Sequence, residues 1–218
     1  MYEFKPFKYS SHEKIISLVK PNSKVLDVGC ASGYIASKLK QKNCEVIGID
    51  NNEKSLEEAK KYCNKVFLLD ISKESIDGKF DVIILGDIIE HTPNPEEILI
   101  KLKKNLNQNG KIIVSVPNIV NIYARLRILF GTFPQDDKGI FDKTHLKFFT
   151  IKSLRKIIKD NNFSLKKLNF TPIPFKLIFP HSPTTISDLL AFLAYLWPNL
   201  FAYQLIATIN NPPPQLNL

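Results

Sequence analysis

The chain has 218 residues, a length that fits one large domain with a full core, and its 44% hydrophobic and 23% charged residues make it a globular composition. The net charge of +9 comes from lysines spread along the chain, with arginine confined to Arg125, Arg127 and Arg155, a pattern of solvated surface and not of a nucleic-acid reader. Three cysteines (Cys30, Cys44, Cys63) in no C-x-x-C spacing exclude a disulfide framework and a structural zinc site, and no metal is expected. The N-terminal residues do not read as a signal peptide, and the longest apolar run, Leu189 to Trp197, is under half the ~20 residues of a spanning helix. The expectation is a cytosolic protein.

Residues 10–20 read as a helix. Ser10 and Glu13 have the spacing of a capping box, Ile15, Ile16, Leu18 and Val19 form the apolar face, and Pro21-Asn22 ends it. The apolar run Val25-Leu26-Asp27-Val28 then breaks into Gly29-Cys30-Ala31-Ser32-Gly33, and Tyr34, Ile35, Ala36 and Leu39 follow at helical spacing. Strand, tight turn and helix in that order form the first unit of a nucleotide-binding α/β fold. Glycines let the chain turn sharply and a ligand approach the main chain, and the turn opens onto a helix N-terminus that favours a negative group. The dinucleotide fingerprint needs glycine at three places held here by Gly29, Ala31 and the bulky Tyr34, with Gly33 out of phase. No Gly-Lys-Ser/Thr follows, so a P-loop does not fit either.

Glu45 to Asp50 is a second strand ending in a carboxylate 21 residues after Gly29, the spacing at which an acid on the neighbouring strand meets ribose hydroxyls. Asp50 with Asn51-Asn52 also reads as the cap of the next helix, Glu53 to Tyr62, and both roles can hold together. Lys65 to Leu69 is a third strand, closing with Asp70-Ile71-Ser72. After a short, weakly helical crossover (Ser72 to Gly78), Phe80 to Leu85 reads as a parallel strand covered on both faces. It runs into Gly86-Asp87-Ile88-Ile89-Glu90-His91-Thr92-Pro93-Asn94-Pro95. Pro95 opens a helix with Ile98, Leu99, Leu102 and Leu106 on its face, Asn109-Gly110 turns the chain, and Lys111 to Val116 is a fifth strand stopped by Pro117-Asn118. This alternation predicts a doubly wound, mostly parallel sheet with its ligand at the carboxyl ends of the strands. Asn118 to Phe130 reads as a helix, Gly131 to Thr144 as a loop and Ile151 to Asn161 as a helix. Phe163 to Phe170 and Tyr203 to Ile209 read as strands, a candidate antiparallel pair closing a seven-stranded, Rossmann-like sheet. Between them lies a proline-punctuated insertion, Thr171 to Phe201, and the tail 211–218 reads as disordered.

The string Val25-Leu26-Asp27-Val28-Gly29-Cys30-Ala31-Ser32-Gly33 resembles the first motif of class I S-adenosylmethionine-dependent methyltransferases, with Ala31 in place of the usual central glycine. Asp87 to Pro95 resembles that family's fourth-strand segment: an acid, an apolar pair, Glu-His, then Asn-Pro. Pro117-Asn118, the Leu/Arg-rich helix and Asp142-Lys143-Thr144-His145-Leu146-Lys147-Phe148-Phe149-Thr150 are similar to a bacterial subgroup found among cell-surface polysaccharide and glycosyltransferase genes. The resemblance covers about residues 10–172 and implies a single methyltransferase domain, with 118–150 and 171–201 as substrate or lid insertions.

It further implies S-adenosyl-L-methionine as cofactor and assigns the strand tips. Asp27 and the Gly29 to Gly33 backbone, with Cys30, Ala31 and Tyr34, take the methionine end. Asp50 and Asn51 take the ribose, Asp70 and Ile71 the adenine, and Gly86, Asp87 and Ile88 the methyl side. For a hydroxyl acceptor the candidate base is His145, oriented by Asp142, with His91 as the other candidate. A helix-start hydrogen bond for His91 and a loop-locking bond from His145 to Asp142 are the structural alternatives. The acceptor reads as a small molecule or glycan, methylated on oxygen. RNA or protein acceptors, a non-catalytic cofactor- or partner-binding module and, most weakly, a nicotinamide oxidoreductase stand as alternatives. For the apolar segment 186–201 the readings are a helix packed on the domain, a homodimer contact, a lid, or peripheral contact with the inner face of a membrane.

Overall fold

A computed structural model describes residues 8–133, 135–175, 179 and 181–212. In chain order the elements are α1 (Ser11–Leu18), β1 (Lys24–Val28), α2 (Tyr34–Lys40), β2 (Glu45–Asp50), α3 (Glu53–Ala59), β3 (Lys65–Leu68) and β4 (Phe80–Gly86). A single 3-10 turn (Ile89–His91) leads to α4 (Pro95–Lys103), β5 (Leu106–Pro117), α5 (Ile122–Leu129), α6 (Ile151–Asp160), β6 (Ser164–Pro172), α7 (Thr184–Leu196), α8 (Pro198–Phe201) and β7 (Ala202–Asn210).

The seven strands form one sheet in the order β3-β2-β1-β4-β5-β7-β6. The first five are parallel to one another, and β7 runs antiparallel between β5 and β6. Strand order reverses at β1, which pairs with β2 on one side and β4 on the other. A cleft opens there at the carboxyl ends because the crossovers leave in opposite directions. Period-two alternation sorts the side chains of the central strands. Leu26, Val28, Ile83, Leu85, Ile112 and Val114 join the core under α4 and α6. Val25, Val46, Val82, Ile84 and Ile113 join the core under α1 and α2. Both faces are covered, which is why the strands read as continuous apolar runs.

Several local expectations need correcting. Ser10 does cap α1, accepting from the Glu13 amide at 3.2 Å, but Glu13 does not return the bond of a capping box. Its carboxylate accepts instead from the Tyr34 hydroxyl at 2.7 Å, tying α1 to α2. The helix opened by Pro95 stops at Lys103, and Leu106 already belongs to β5, opposite Phe80. The register shift between Phe80 and Val82 places Asn109-Gly110 within β5 and not in a turn before it. Residues 72–78 leave a turn at Ser72-Lys73 for irregular chain without a helix, pinned by Asn105, whose amide donates to the Ile76 and Gly78 carbonyls. Asn118 is not helical: it is fully buried and donates to the Ala202 carbonyl at 2.9 Å, so α5 begins only after its cap, Asn121.

The insertion after β6 supplies α7 and α8. Ala194 is buried and Tyr195 meets Phe170 edge to face, so α7 rests on β6, while Leu189, Phe192, Leu196 and Trp197 stay exposed. Among the described residues no helix is long and apolar enough to cross a membrane. Of the expected tail, residues 213–218 lie outside the described residues, as do 176–178 and 180 of the insertion.

Candidate active site

The strand tips and the loops that follow them enclose a cavity of about 430 Å³ lined by Gly29, Asp50, Asn51, Asp70, Ile71, Asp87, Ile88 and His91 among others. Gly29 is also part of the wall of a smaller cavity, about 60 Å³, bordered by His12, Asp27, Cys30, Ala31, Tyr34 and Gly86. Together these volumes suit a small organic ligand. Of the cofactor residues expected from the sequence, Gly33 lines neither cavity. It starts α2 at φ +80, and a Cβ there would lie 3.0 Å from the Ala59 Cα, so its role is the close approach of α2 and α3.

The turn after β1 is held by the sheet. The Gly29 and Cys30 amides donate to the Ile49 carbonyl at 2.7 and 3.1 Å. Gly29 has φ +70, and a side chain there would strike Ile88, with 2.1 Å to its Cδ1. Ala31 takes the left-handed conformation, φ +47, at the place where the resembling motif carries glycine. Its amide donates to Asp50 Oδ2 at 2.9 Å, and Asp50 Oδ1 accepts from Asn52 N at 2.9 Å. Asp50 thus braces the turn while facing the cavity. Capping of α3 falls to Asn52, which accepts from Ser55 N.

Asp27 is the electrostatic centre of the small cavity. It is 2% exposed, and its Oδ2 is buried without a hydrogen-bond partner. Burial, and then the nearby Asp50 carboxylate, pushes its carboxyl up to about 7. A buried, partnerless carboxylate oxygen beside a small cavity fits a cationic group such as an ammonium. Beside it His12 is pushed down by burial, against the pull of Asp87 and Glu13. Asp70, in the wall of the larger cavity, is half-buried, and its carboxyl sits below the ordinary value because Ser72 and Lys73 bond it.

Asp87 also takes the left-handed conformation, φ +57, directly after β4. The Ser115 hydroxyl donates to its Oδ1 at 2.6 Å and the Gln204 amide to its Oδ2 at 3.0 Å. Gln204 comes from β7, 117 residues away, and no local signal in the sequence points to it.

His91 and His145 meet edge to face, ring centroids 4.7 Å apart. The loop before His145 is brought there by its own small core: Ile140 and Phe141 are buried with Ala124, and Arg127 pairs with Asp136 at 2.7 Å. The Leu146 and Lys147 amides both donate to the Glu90 carbonyl, at 2.8 and 3.0 Å. Asp142 does not orient the His145 ring. Its Oδ1 accepts from the Thr144 amide and hydroxyl, while His145 Nδ1 faces the Ile140 carbonyl at 3.1 Å. The loop-locking contact between the two is main-chain, His145 N to Asp142 O. His91 Nδ1 lies 3.0 Å from the Thr144 hydroxyl. Burial holds the His145 imidazole below its ordinary range.

A family model described as a methyltransferase domain matches residues 11–168. The chain belongs to the class I S-adenosylmethionine-dependent methyltransferases. It is an enzyme of that class, and S-adenosylmethionine is its cofactor. The methyltransferase is 30% identical over 171 residues to a ubiquinone biosynthesis O-methyltransferase of Pelagibacter ubique, covering 76% of this chain and 70% of that one. A protein of the same name from Rickettsia conorii is 33% identical over 156 residues, 66% of this chain and 52% of the relative. Among solved structures, the magnesium protoporphyrin IX methyltransferase of Synechocystis PCC 6803 with bound SAH aligns with TM-score 0.64 at 20% identity, over 93% of this chain and 82% of that one, a likeness of fold.

Proposed function

We propose that this methyltransferase moves a methyl group to an oxygen of a small-molecule acceptor held beside His91 and His145. The observation that carries the oxygen reading is that pair of imidazoles, 4.7 Å apart, with His91 in the cavity wall next to Asp87 and Ile88. The relatives named ubiquinone biosynthesis O-methyltransferase support both the oxygen and the small acceptor. A glycan acceptor is supported by the subgroup resemblance alone.

Bound S-adenosylmethionine supplies a methyl group activated on a sulfonium, which leaves the protein to align, to exclude water and to take a proton from a hydroxyl acceptor. Asp27 would hold the ammonium of the methionine end, giving its partnerless oxygen a cation. Asp50 uses one lone pair on each oxygen for Ala31 and Asn52, so two remain for ribose hydroxyls. Asp70 and Ile71 stand at the other end of the cavity with an acceptor and an apolar face for the adenine. His145, with Nδ1 on a carbonyl, keeps the Nε2 lone pair for the acceptor proton.

The test is to incubate the chain with cofactor labelled in the methyl group and with panels of phenols, catechols and sugars. The product is then located by mass spectrometry. Label on an acceptor oxygen is expected. Label that enters only RNA or protein, or none of the small acceptors, overturns the reading.

A further inference from the structure

We propose that Cys30 and Cys63 form a redox-sensitive thiol pair whose oxidation to a disulfide weakens cofactor binding at the turn after β1. The pair itself is independent of the reaction; its effect on binding rests on the reading above that places the methionine end of the cofactor at that turn.

Both cysteines are free thiols, and they meet over Gly48, inside β2. A Cβ on that glycine would lie 2.7 Å from the Cys30 Sγ and 3.0 Å from the Cys63 Sγ. Two sulfurs so near one point share the space of a single side chain. A glycine inside a strand weakens it and marks a close approach, and here the approaching groups are the two thiols. They belong to one small cluster with Leu56, Ala59 and Val66. The hydrogen-bonded Cys63 thiol, then burial, then the Asp27 carboxylate push the Cys30 thiol above its ordinary range. Cys30 is therefore held as the unreactive thiol, while Cys63 is half-buried and reachable from solvent.

The pair joins the two segments that shape the cofactor turn. The Cys30 amide donates to the Ile49 carbonyl at 3.1 Å, and its own carbonyl accepts from the Gly33 amide at 2.9 Å. The next residue, Ala31, donates its amide to Asp50. Cys63 follows α3, its amide on the Ala59 carbonyl at 2.9 Å. A disulfide needs the sulfurs at about 2.05 Å with a near-perpendicular torsion, so one segment or both must move. The end of α3 has little room to advance, because a Cβ on Gly33 would already lie 3.0 Å from the Ala59 Cα and 3.3 Å from the Tyr62 ring. The Cys30 turn must then give, which shifts the Ala31 amide on Asp50 and the wall of the small cavity that Cys30 shares with Asp27.

The oxidant is hydrogen peroxide. The Cys63 sulfur attacks one peroxide oxygen, the O–O bond breaks, and Cys63 becomes a sulfenic acid as one water leaves. The Cys30 sulfur then attacks the Cys63 sulfur and loses its proton to the departing hydroxyl, which leaves as a second water. Two thiols thus give two electrons to one peroxide, and a dithiol reductant reverses the step.

The experiment uses the full chain, reduced, freed of reductant and treated with hydrogen peroxide. Peptide mapping without reductant should find Cys30 joined to Cys63 and Cys44 free. S-adenosylhomocysteine affinity, by calorimetry, should fall at least about 10-fold on oxidation and return with dithiothreitol. Linkage makes the effect reciprocal. Saturating S-adenosylhomocysteine should raise the reduction potential of the disulfide by about 30 mV for each tenfold difference in affinity. Cys63→Ser should bind S-adenosylhomocysteine as the reduced parent does and keep that affinity in peroxide. Cys44→Ser, whose thiol faces the Lys20 carbonyl instead, should stay sensitive. If Cys63→Ser does not fold, the cycle of peroxide and dithiothreitol on the unaltered chain reads the same effect. Absence of the Cys30–Cys63 peptide, or equal affinity in the two redox states, overturns the proposal, and the cofactor reading of the turn then survives. If the disulfide forms in a chain that binds no S-adenosylhomocysteine in either state, the control of binding and that reading fall together.

Discussion

Asp27→Asn separates the cost of the cofactor site from the stability of the fold. The folded carboxyl is pushed from 3.8 up to about 7, mainly by burial and next by Asp50. A raised folded value means that the native state holds the proton more tightly than the unfolded chain. The cost of Asp27 is therefore absent below about pH 4, grows as pH rises through the interval to about 7, and is constant above it. At 1.36 kcal/mol per unit the full cost is about 4 kcal/mol. Asparagine keeps the shape and removes the charge, but its buried amide group costs about 1–3 kcal/mol where it finds no acceptor. The variant should thus be about 1–3 kcal/mol more stable than the parent at pH 8 and less stable by a similar amount near pH 4. Urea denaturation of both proteins without ligand, at four values between pH 4 and 8.5, measures the difference directly. S-adenosylhomocysteine affinity, by calorimetry at pH 8, should fall about 10- to 100-fold with the loss of the ammonium partner. A stability difference that stays flat across this range would refute the assignment of Asp27 as the strained carboxylate of the site.

Asp50→Ala removes both the acceptor offered to ribose and the brace on the Ala31 amide, so S-adenosylhomocysteine should bind at least about 10-fold more weakly; equal affinity by calorimetry removes Asp50 from the site. Gly33→Ala meets both a left-handed backbone and the Ala59 Cα at 3.0 Å, and should cost about 2 kcal/mol, read as a fall of roughly 4–8 °C in Tm. Asn118→Ala strands the Ala202 carbonyl between β5 and the end of α8 and should lower stability by about 1–3 kcal/mol in urea, with no dependence on cofactor. With its charge spread over lysines, the chain should give no RNA gel shift at physiological salt, and a specific, salt-sensitive shift would turn the acceptor toward RNA.

The parallel sheet was legible because each of its strands carries its own signal. The apolar runs of β1, β2 and β4 are continuous, since both faces are covered, and each ends in glycine or an acid at the cavity. The spacing from Gly29 to Asp50 survives as a physical contact, the Ala31 amide on the Asp50 carboxylate. Local rules failed where a tertiary partner outbid them: Glu13 left its capping box for Tyr34, Asn118 left a helix for the Ala202 carbonyl, and Leu106 left the α4 face for a register opposite Phe80.

From sequence alone came the fold class, the family and the strand tips that line the cavity, all properties of short segments whose pattern repeats the geometry that they adopt. Tertiary structure alone decided what surrounds the two histidines. Thr144 turned onto His91 and Gln204 reaching Asp87 join residues 53 and 117 positions apart, and the loop whose Ile140 takes the His145 ring is held by main-chain bonds to the buried, partnerless Glu90. Spacing along a chain carries no record of such meetings, because the packing of Ile140, Phe141 and Ala124 and the amides on the Glu90 carbonyl set them.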